Sequence, residues 1–308
     1  MKKRTKKVVS LVLLVSGLVF ILFLVQRSWG QLVELLRQAD WLLFVVSIFV
    51  GITGILASSM LFRILLKKYG LDVPSGLAHR IFFYGQVAKY VPGKIWGIMY
   101  QVAAVGKQGA SIGITSANLD LMLVSIFMNL SIAAALIVFP VSMLGAVGIL
   151  LSGAAMALVA SGSHFSGEVF RRLIPKSYVQ SPVLSPPDWK VLSVKVGAYF
   201  VTVFVTSLLS YYLMMNAVFG FTLQESATYM AYLILSWVVG VFAFLVPAGV
   251  GVRELVFITV GTTMMDGISI ELLVSIALIS RCWQIAQDLV VAAIVSVLGV
   301  IRIRASVT

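Results

Sequence analysis

The sequence predicts an all-α polytopic membrane protein. It has about six full-length transmembrane helices and two oppositely oriented helical hairpins, each re-entrant or a pair of short crossings. Three observations predict this. Of 308 residues, 60% are hydrophobic and 11% charged, whereas a soluble domain carries about a quarter charged residues. Long apolar runs recur from Val8 to Ile301, and a spanning helix needs ~20 apolar residues. Two of the runs are broken, at Pro92-Gly93-Lys94 and at Pro247-Ala248-Gly249-Val250-Gly251.

The first run, Val8–Val25, follows Lys2, Lys3, Arg4, Lys6 and Lys7. It is longer than a signal core, and no small-x-small cleavage site follows it, so it reads as a retained helix. Trp29–Ala39 reads as an amphipathic helix on the outer surface. The other full-length candidates are Trp41–Leu66, Leu119–Phe139, Val141–Ala160, Val191–Met215 and Glu271–Val300. Basic residues assign the sides. Both termini and the basic loop 161–190, with Arg171, Arg172 and Lys176, are expected to be cytoplasmic. The Asn216–Ala227 loop lacks Lys and Arg and is expected outside. The whole chain, 1–308, reads as one membrane domain, because the 161–190 loop is too short for a core of its own.

This assignment constrains the broken segments. Pro74–Val105 must begin and end inside, and Thr228–Met265 must begin and end outside. Proline removes a backbone donor and clashes with the preceding turn, and glycine permits tight reversal. Pro92, Gly93, Pro247, Gly249 and Gly251 therefore read as hairpin breaks. Tyr90-Val91-Pro92-Gly93-Lys94 parallels Leu245-Val246-Pro247-Ala248-Gly249. Paired breaks in the two halves of a chain fit an inverted repeat with a binding site near the midplane.

The net charge of +12 flanks apolar runs, which points to topology and anionic lipid rather than to nucleic acid. One cysteine, Cys282, permits no intramolecular disulfide, and the two histidines, His79 and His164, lie far apart. No metal and no cofactor is expected. No Gly-x-x-x-x-Gly-Lys-Ser/Thr string occurs, and no Ser/His/Asp constellation is evident, which disfavours an ATP-driven pump and a hydrolase.

Ionisable groups within the membrane are functional hypotheses by default. Arg253 and Glu254 follow the second break. Arg253 is expected to hold a lipid phosphate, because a guanidinium matches phosphate geometry; the alternative is an Arg253–Glu254 pair that pins the hairpin. Lys94 has the corresponding place at the first break, while Lys89 is expected to snorkel to the interface. Arg281, Gln284 and Asp288 share one helix face. They line a headgroup path, or Arg281 and Asp288 hold the bundle together. Asp120, preceded by Ser116 and Asn118, is expected to cap the Leu119–Phe139 helix; its sharper role is a proton-coupling carboxylate.

Two strings carry a family resemblance. "GQVAKYVPGKIWG" (Gly85–Gly97) and "FLVPAGVGVRE" (Phe244–Glu254) resemble the signatures of the lysylphosphatidylglycerol synthase transmembrane-region family. That family is the flippase-like half of the bacterial multiple peptide resistance factor, and the resemblance covers nearly the whole chain. It implies movement of an anionic phospholipid or a polyprenyl-phosphate-linked precursor between leaflets of the bacterial cytoplasmic membrane. Lys94, Arg253 and Arg281 would bind phosphate, supported by Glu254, Gln284, Asp288 and Asp120. The full-length factor has a cytosolic aminoacyl-transferase domain. This chain reaches Thr308 directly after its last helix, so no enzyme activity of its own is expected. The alternative is an accessory subunit for a membrane glycosyltransferase or lipid synthase, docked through the 161–190 loop. A third reading is a proton-coupled solute transporter using Asp120, Glu254 and Asp288.

Overall fold

A computed structural model describes residues 15–16, 19–90, 96–106, 110–162, 189–243, 249–265 and 267–305. The N-terminal lysine cluster, Pro92, Gly93, Lys94, Pro247 and most of the 161–190 loop lie outside them. Every regular element among the described residues is a helix.

The chain begins with α1 (Val19–Arg27) and α2 (Trp29–Gln38), which meet at a 69° bend. α2 buries Leu32 and packs on the ends of two later helices, while Trp29 stays exposed. α3 (Trp41–Lys68) starts at Asp40, whose Oδ1 accepts from the Leu43 N–H at 3.0 Å. α4 (Ser75–Ala88) and α5 (Trp96–Val105) form the first broken segment. α6 (Ala110–Val138), α7 (Met143–Gly162) and α8 (Trp189–Phe219) follow. α9 (Leu223–Phe242) and α10 (Val252–Met264) form the second broken segment, and α11 (Ile270–Ala305) closes the bundle.

Six of these helices are long and apolar enough to cross a membrane: α3, α6, α7, α8, α9 and α11. Two expected boundaries move. α6 begins at Ala110, not at Leu119. The Ser111–Asn118 stretch continues the helix because its polar side chains bond back to their own backbone, Thr115 to the Ser111 carbonyl and Asn118 to the Ile114 carbonyl. Asp120 is therefore mid-helix and caps nothing. α9 also begins earlier than expected. Thr222 and Glu225 form a capping box, and Gly220 at φ 67° makes the tight turn before it. The expected outer loop Asn216–Ala227 thus shrinks to residues 220–222.

The two broken segments consequently differ. α4 and α5, of 14 and 10 residues, are about 21 and 15 Å long, too short for the ~30 Å hydrocarbon core. α9, with 20 residues, is ~30 Å long, which is long enough for a span by itself, whereas α10, with 13, is ~20 Å. α4 and α5 approach closely at a glycine pair: a Cβ on Gly97 would lie 2.9 Å from the Gly85 carbonyl oxygen.

Two apolar clusters hold the bundle. One joins α3, α4, α6, α7 and α8 through Phe62, Leu65, Phe82, Ile114 and Val124. The other joins α2, α8, α10 and α11 through Leu32, Met214, Phe257, Leu273 and Trp283. Half of the most apolar window of α9 and of α11 is buried, against 17% in α3. α9 and α11 are therefore central, and α3 turns most of its surface outward, as a lipid-facing helix does.

Candidate functional site

α11 is the frame for the helix ends that flank the two breaks. Both α4 and α10 run antiparallel to it. On the α4 side, Tyr84 Oη lies 2.7 Å from Ser296 Oγ, and Tyr90 donates to Asp288 Oδ2 at 2.7 Å. On the α10 side, Gly261 packs on Leu273, Glu254 faces Arg281, and Arg253 reaches Gln284. The end of α4 thus arrives at Asp288 from one end of the bundle. The start of α10 leaves Gln284 toward the other. Four residues of α11 separate the two levels, about 6 Å along the axis. The described helix ends that flank the two breaks, at Tyr90 and at Gly251, thus reach neighbouring levels of α11 from opposite ends.

Gly249 and Gly251 make the start of α10, with φ of 67° and 82°. L side chains rarely adopt this backbone conformation. Gly240 of α9 is equally required. A Cβ there would collide with the Arg253 side chain, and a Cβ on Gly249 would lie 3.1 Å from the Gly240 carbonyl oxygen. Arg253 therefore runs through a slot with glycine on two sides.

The charges pair in an unexpected pattern. Glu254 turns back to its own helix start, where Oε2 accepts from the Gly251 N–H at 2.7 Å. Its Oε1 lies 3.9 Å from Arg281 Nε. Glu254 does not pair with Arg253. Asp288, expected to serve Arg281, accepts from Tyr90 Oη and pairs with Lys89 Nζ at 2.8 Å. Lys89 does not snorkel away; it stays beside the Tyr90 ring and also donates to Gln86 Oε1. Buried carboxylate is the stronger attraction because Asp288 is only 8% exposed.

Arg253 is left with one hydrogen bond, from Nη2 to Gln284 Oε1 at 3.1 Å. Gln284 Nε2 donates in turn to Tyr211 Oη at 2.7 Å, which fixes the amide with its oxygen toward Arg253. The Arg253 Nε is buried without a hydrogen-bond partner. No carboxylate among the described residues pairs with this guanidinium. The cluster holds Lys89, Arg253 and Arg281 against Glu254 and Asp288, three cations against two carboxylates. Between α9, α10 and α11 a pocket of about 10 Å³ touches Ser236, Arg253, Glu254, Ser280 and Arg281. That is room for about one water.

Asp120 is not part of this cluster. It lies in a second buried site, where Oδ2 accepts from Lys68 Nζ at 2.7 Å and from Tyr69 Oη at 2.7 Å. Lys68 Nζ also donates to the Ser161 carbonyl at 2.8 Å. The side chains of Lys68 and Asp120 are 4% and 1% exposed. Tyr90 and Tyr211 adjoin the Arg253 cluster and Lys68 pairs with Asp120, and sequence reading assigned none of the three. Nothing local marks a tyrosine whose partner lies 198 residues away.

A family model for the lysylphosphatidylglycerol synthase transmembrane region matches residues 8–294. No curated protein and no solved structure matches the chain. With nearly its whole length covered, the chain belongs to that family, and a membrane-lipid role comes with the membership.

Proposed function

We propose that this chain moves an anionic phospholipid or polyprenyl phosphate between membrane leaflets, with Arg253 as the ligand of the headgroup phosphate. One observation carries the reading. Arg253 is a half-buried guanidinium with a buried, unpartnered Nε and no carboxylate. An unpaired cation in an apolar bundle is costly, and a phosphate oxygen would relieve that cost through charge-assisted hydrogen bonds. The N-terminus of α10 adds the positive end of its helix dipole at the same place.

Arg281 is the second cation, held by Glu254 at 3.9 Å and placed one turn along α11 from Gln284. Lys89 and Asp288 would form the other wall, linked to Tyr90. Passage requires the pocket to widen. In this reading the chain catalyses no covalent step, the membrane is the bacterial cytoplasmic membrane, and both termini are cytoplasmic.

The test is leaflet exchange in proteoliposomes with labelled phosphatidylglycerol, aminoacylated phosphatidylglycerol and a polyprenyl phosphate. Exchange of one lipid that Arg253→Gln abolishes, with unchanged melting, is expected. Undiminished exchange in a folded Arg253→Gln protein would sink the assignment. No exchange of any lipid, with and without an imposed proton gradient, would favour an accessory subunit instead.

A further inference from the structure

A second hollow lies between α3, α4 and α8 and shares no lining residue with the Arg253 pocket. Its volume is about 380 Å³, within the range of small-molecule sites, ~300–1,000 Å³. Its lysine and arginine side chains gather at one end. Arg63 and Lys67 come from the last two turns of α3, and Lys195 comes from the start of the antiparallel α8. The opposite end carries no charge and is mostly apolar, with the Thr202 hydroxyl among aliphatic side chains. Ala57 lies six residues before Arg63, about 9 Å deeper along α3, and Met60 and Ala198 face the same slot.

The cations there are poorly satisfied by the protein. Lys67 has Asp72 at 3.4 Å, with both side chains exposed. Arg63 and Lys195 make no hydrogen bond or ion pair with a described residue. The Arg63 Nε is buried and has no acceptor. His79 does not supply one: its Nδ1 is 2.9 Å from Ser59 Oγ and its Nε2 is 3.1 Å from Ser75 Oγ. Snorkelling explains a lysine head in water at a helix end. It does not explain a guanidinium whose Nε is turned away from water beside an apolar slot.

We propose that this hollow is a separate lipid site, which takes an anionic phospholipid with its phosphate on Arg63 and Lys195 and an acyl chain along Ala57, Met60 and Ala198. Charged mouth and apolar depth match the two parts of that ligand in the order a bilayer presents them. The site does not depend on translocation at Arg253.

The test is made in the Arg253→Gln background, so that the central site contributes nothing. Protein is released from nanodiscs of phosphatidylglycerol and phosphatidylcholine in equal parts, and retained lipid is read by native mass spectrometry. Selective retention of phosphatidylglycerol is expected. It should fall at least about tenfold in Arg63→Gln/Lys195→Gln, since two charge-assisted contacts are lost. Ala198→Phe, which keeps the charges but fills the slot, should lower it as well, with melting unchanged. Equal retention of phosphatidylglycerol in the double variant and its parent would overturn the proposal. So would an unaffected Ala198→Phe, or protection against melting by inorganic phosphate equal to that by the lipid, which would make the ligand a soluble anion.

Discussion

Two clusters of buried charge sit in this bundle, and they are built differently. At Lys68 and Asp120 one cation meets one carboxylate at 2.7 Å, with Tyr69 on the same carboxylate oxygen and the Ser161 carbonyl on the ammonium, while the other oxygen, Asp120 Oδ1, is buried without a hydrogen-bond partner. Around the middle of α11 three cations face two carboxylates among the described residues, and the central guanidinium, Arg253, has there a single hydrogen-bonded neighbour, the Gln284 amide. The first cluster ties the end of α3 to the middle of α6 and the end of α7. The second lies where the end of α4 and the start of α10 pack on α11. Both clusters hold a buried polar atom without a hydrogen-bond partner, Asp120 Oδ1 in one and Arg253 Nε in the other. They differ in charge balance, and that difference is why Arg253 rather than Lys68 is the proposed phosphate ligand.

The comparison can be broken most forcefully at the balanced pair. Lys68→Met leaves Asp120 buried without its cation and should destabilise the protein by about 3–5 kcal/mol, read as a melting shift in detergent. Lys68→Met/Asp120→Leu should recover most of that loss, because no charge is then orphaned. A double variant as unstable as the single one would mean that the pair is not the structural unit described.

Gly240→Ala should cost less, about 1–3 kcal/mol, as an overpacking change. Its Cβ displaces the Arg253 side chain rather than removing it. Lipid exchange should therefore fall as it does in Arg253→Gln, although the arginine remains. Retained exchange would show that Arg253 need not lie in its glycine slot.

Gly249→Ala should cost about 1 kcal/mol from its positive φ, with some added strain at the Gly240 carbonyl. Chemical denaturation resolves a change of that size, and no change would place the α10 start in another backbone conformation.

The smallest stability effect is expected at Arg253→Gln, about 0–1 kcal/mol. Loss of one hydrogen bond is offset by relief from burying an unpaired charge. Lipid exchange should nevertheless be lost. A variant as unstable as Lys68→Met would erase the contrast between the two clusters and make Arg253 structural.

Much of the architecture was legible in the chain itself. Hydropathy alone locates α3, α7, α8 and α11 within a few residues, because lipid admits no other way to satisfy the backbone. The strings around Pro92 and Pro247 announced two breaks, since proline and glycine act locally. The start of α6 was misread because serine, threonine and asparagine resemble a cap in sequence, whereas Thr115 and Asn118 bond back into the helix. The polar face Arg281–Gln284–Asp288 was also visible as spacing. Its pairing was not.

By itself, then, the sequence determined the helical class, the order of most of the apolar helices and the identity of the charges carried among them. These follow from properties of single residues and of short windows. Only the tertiary structure decided which charge meets which. Asp288 went to Lys89 and Tyr90, Glu254 to its own helix start and Arg281, Asp120 to Lys68, and Arg253 was left to an amide. Those choices depend on Coulomb terms that fall with distance across helices far apart in the chain, and that distance is set by packing rather than by spacing.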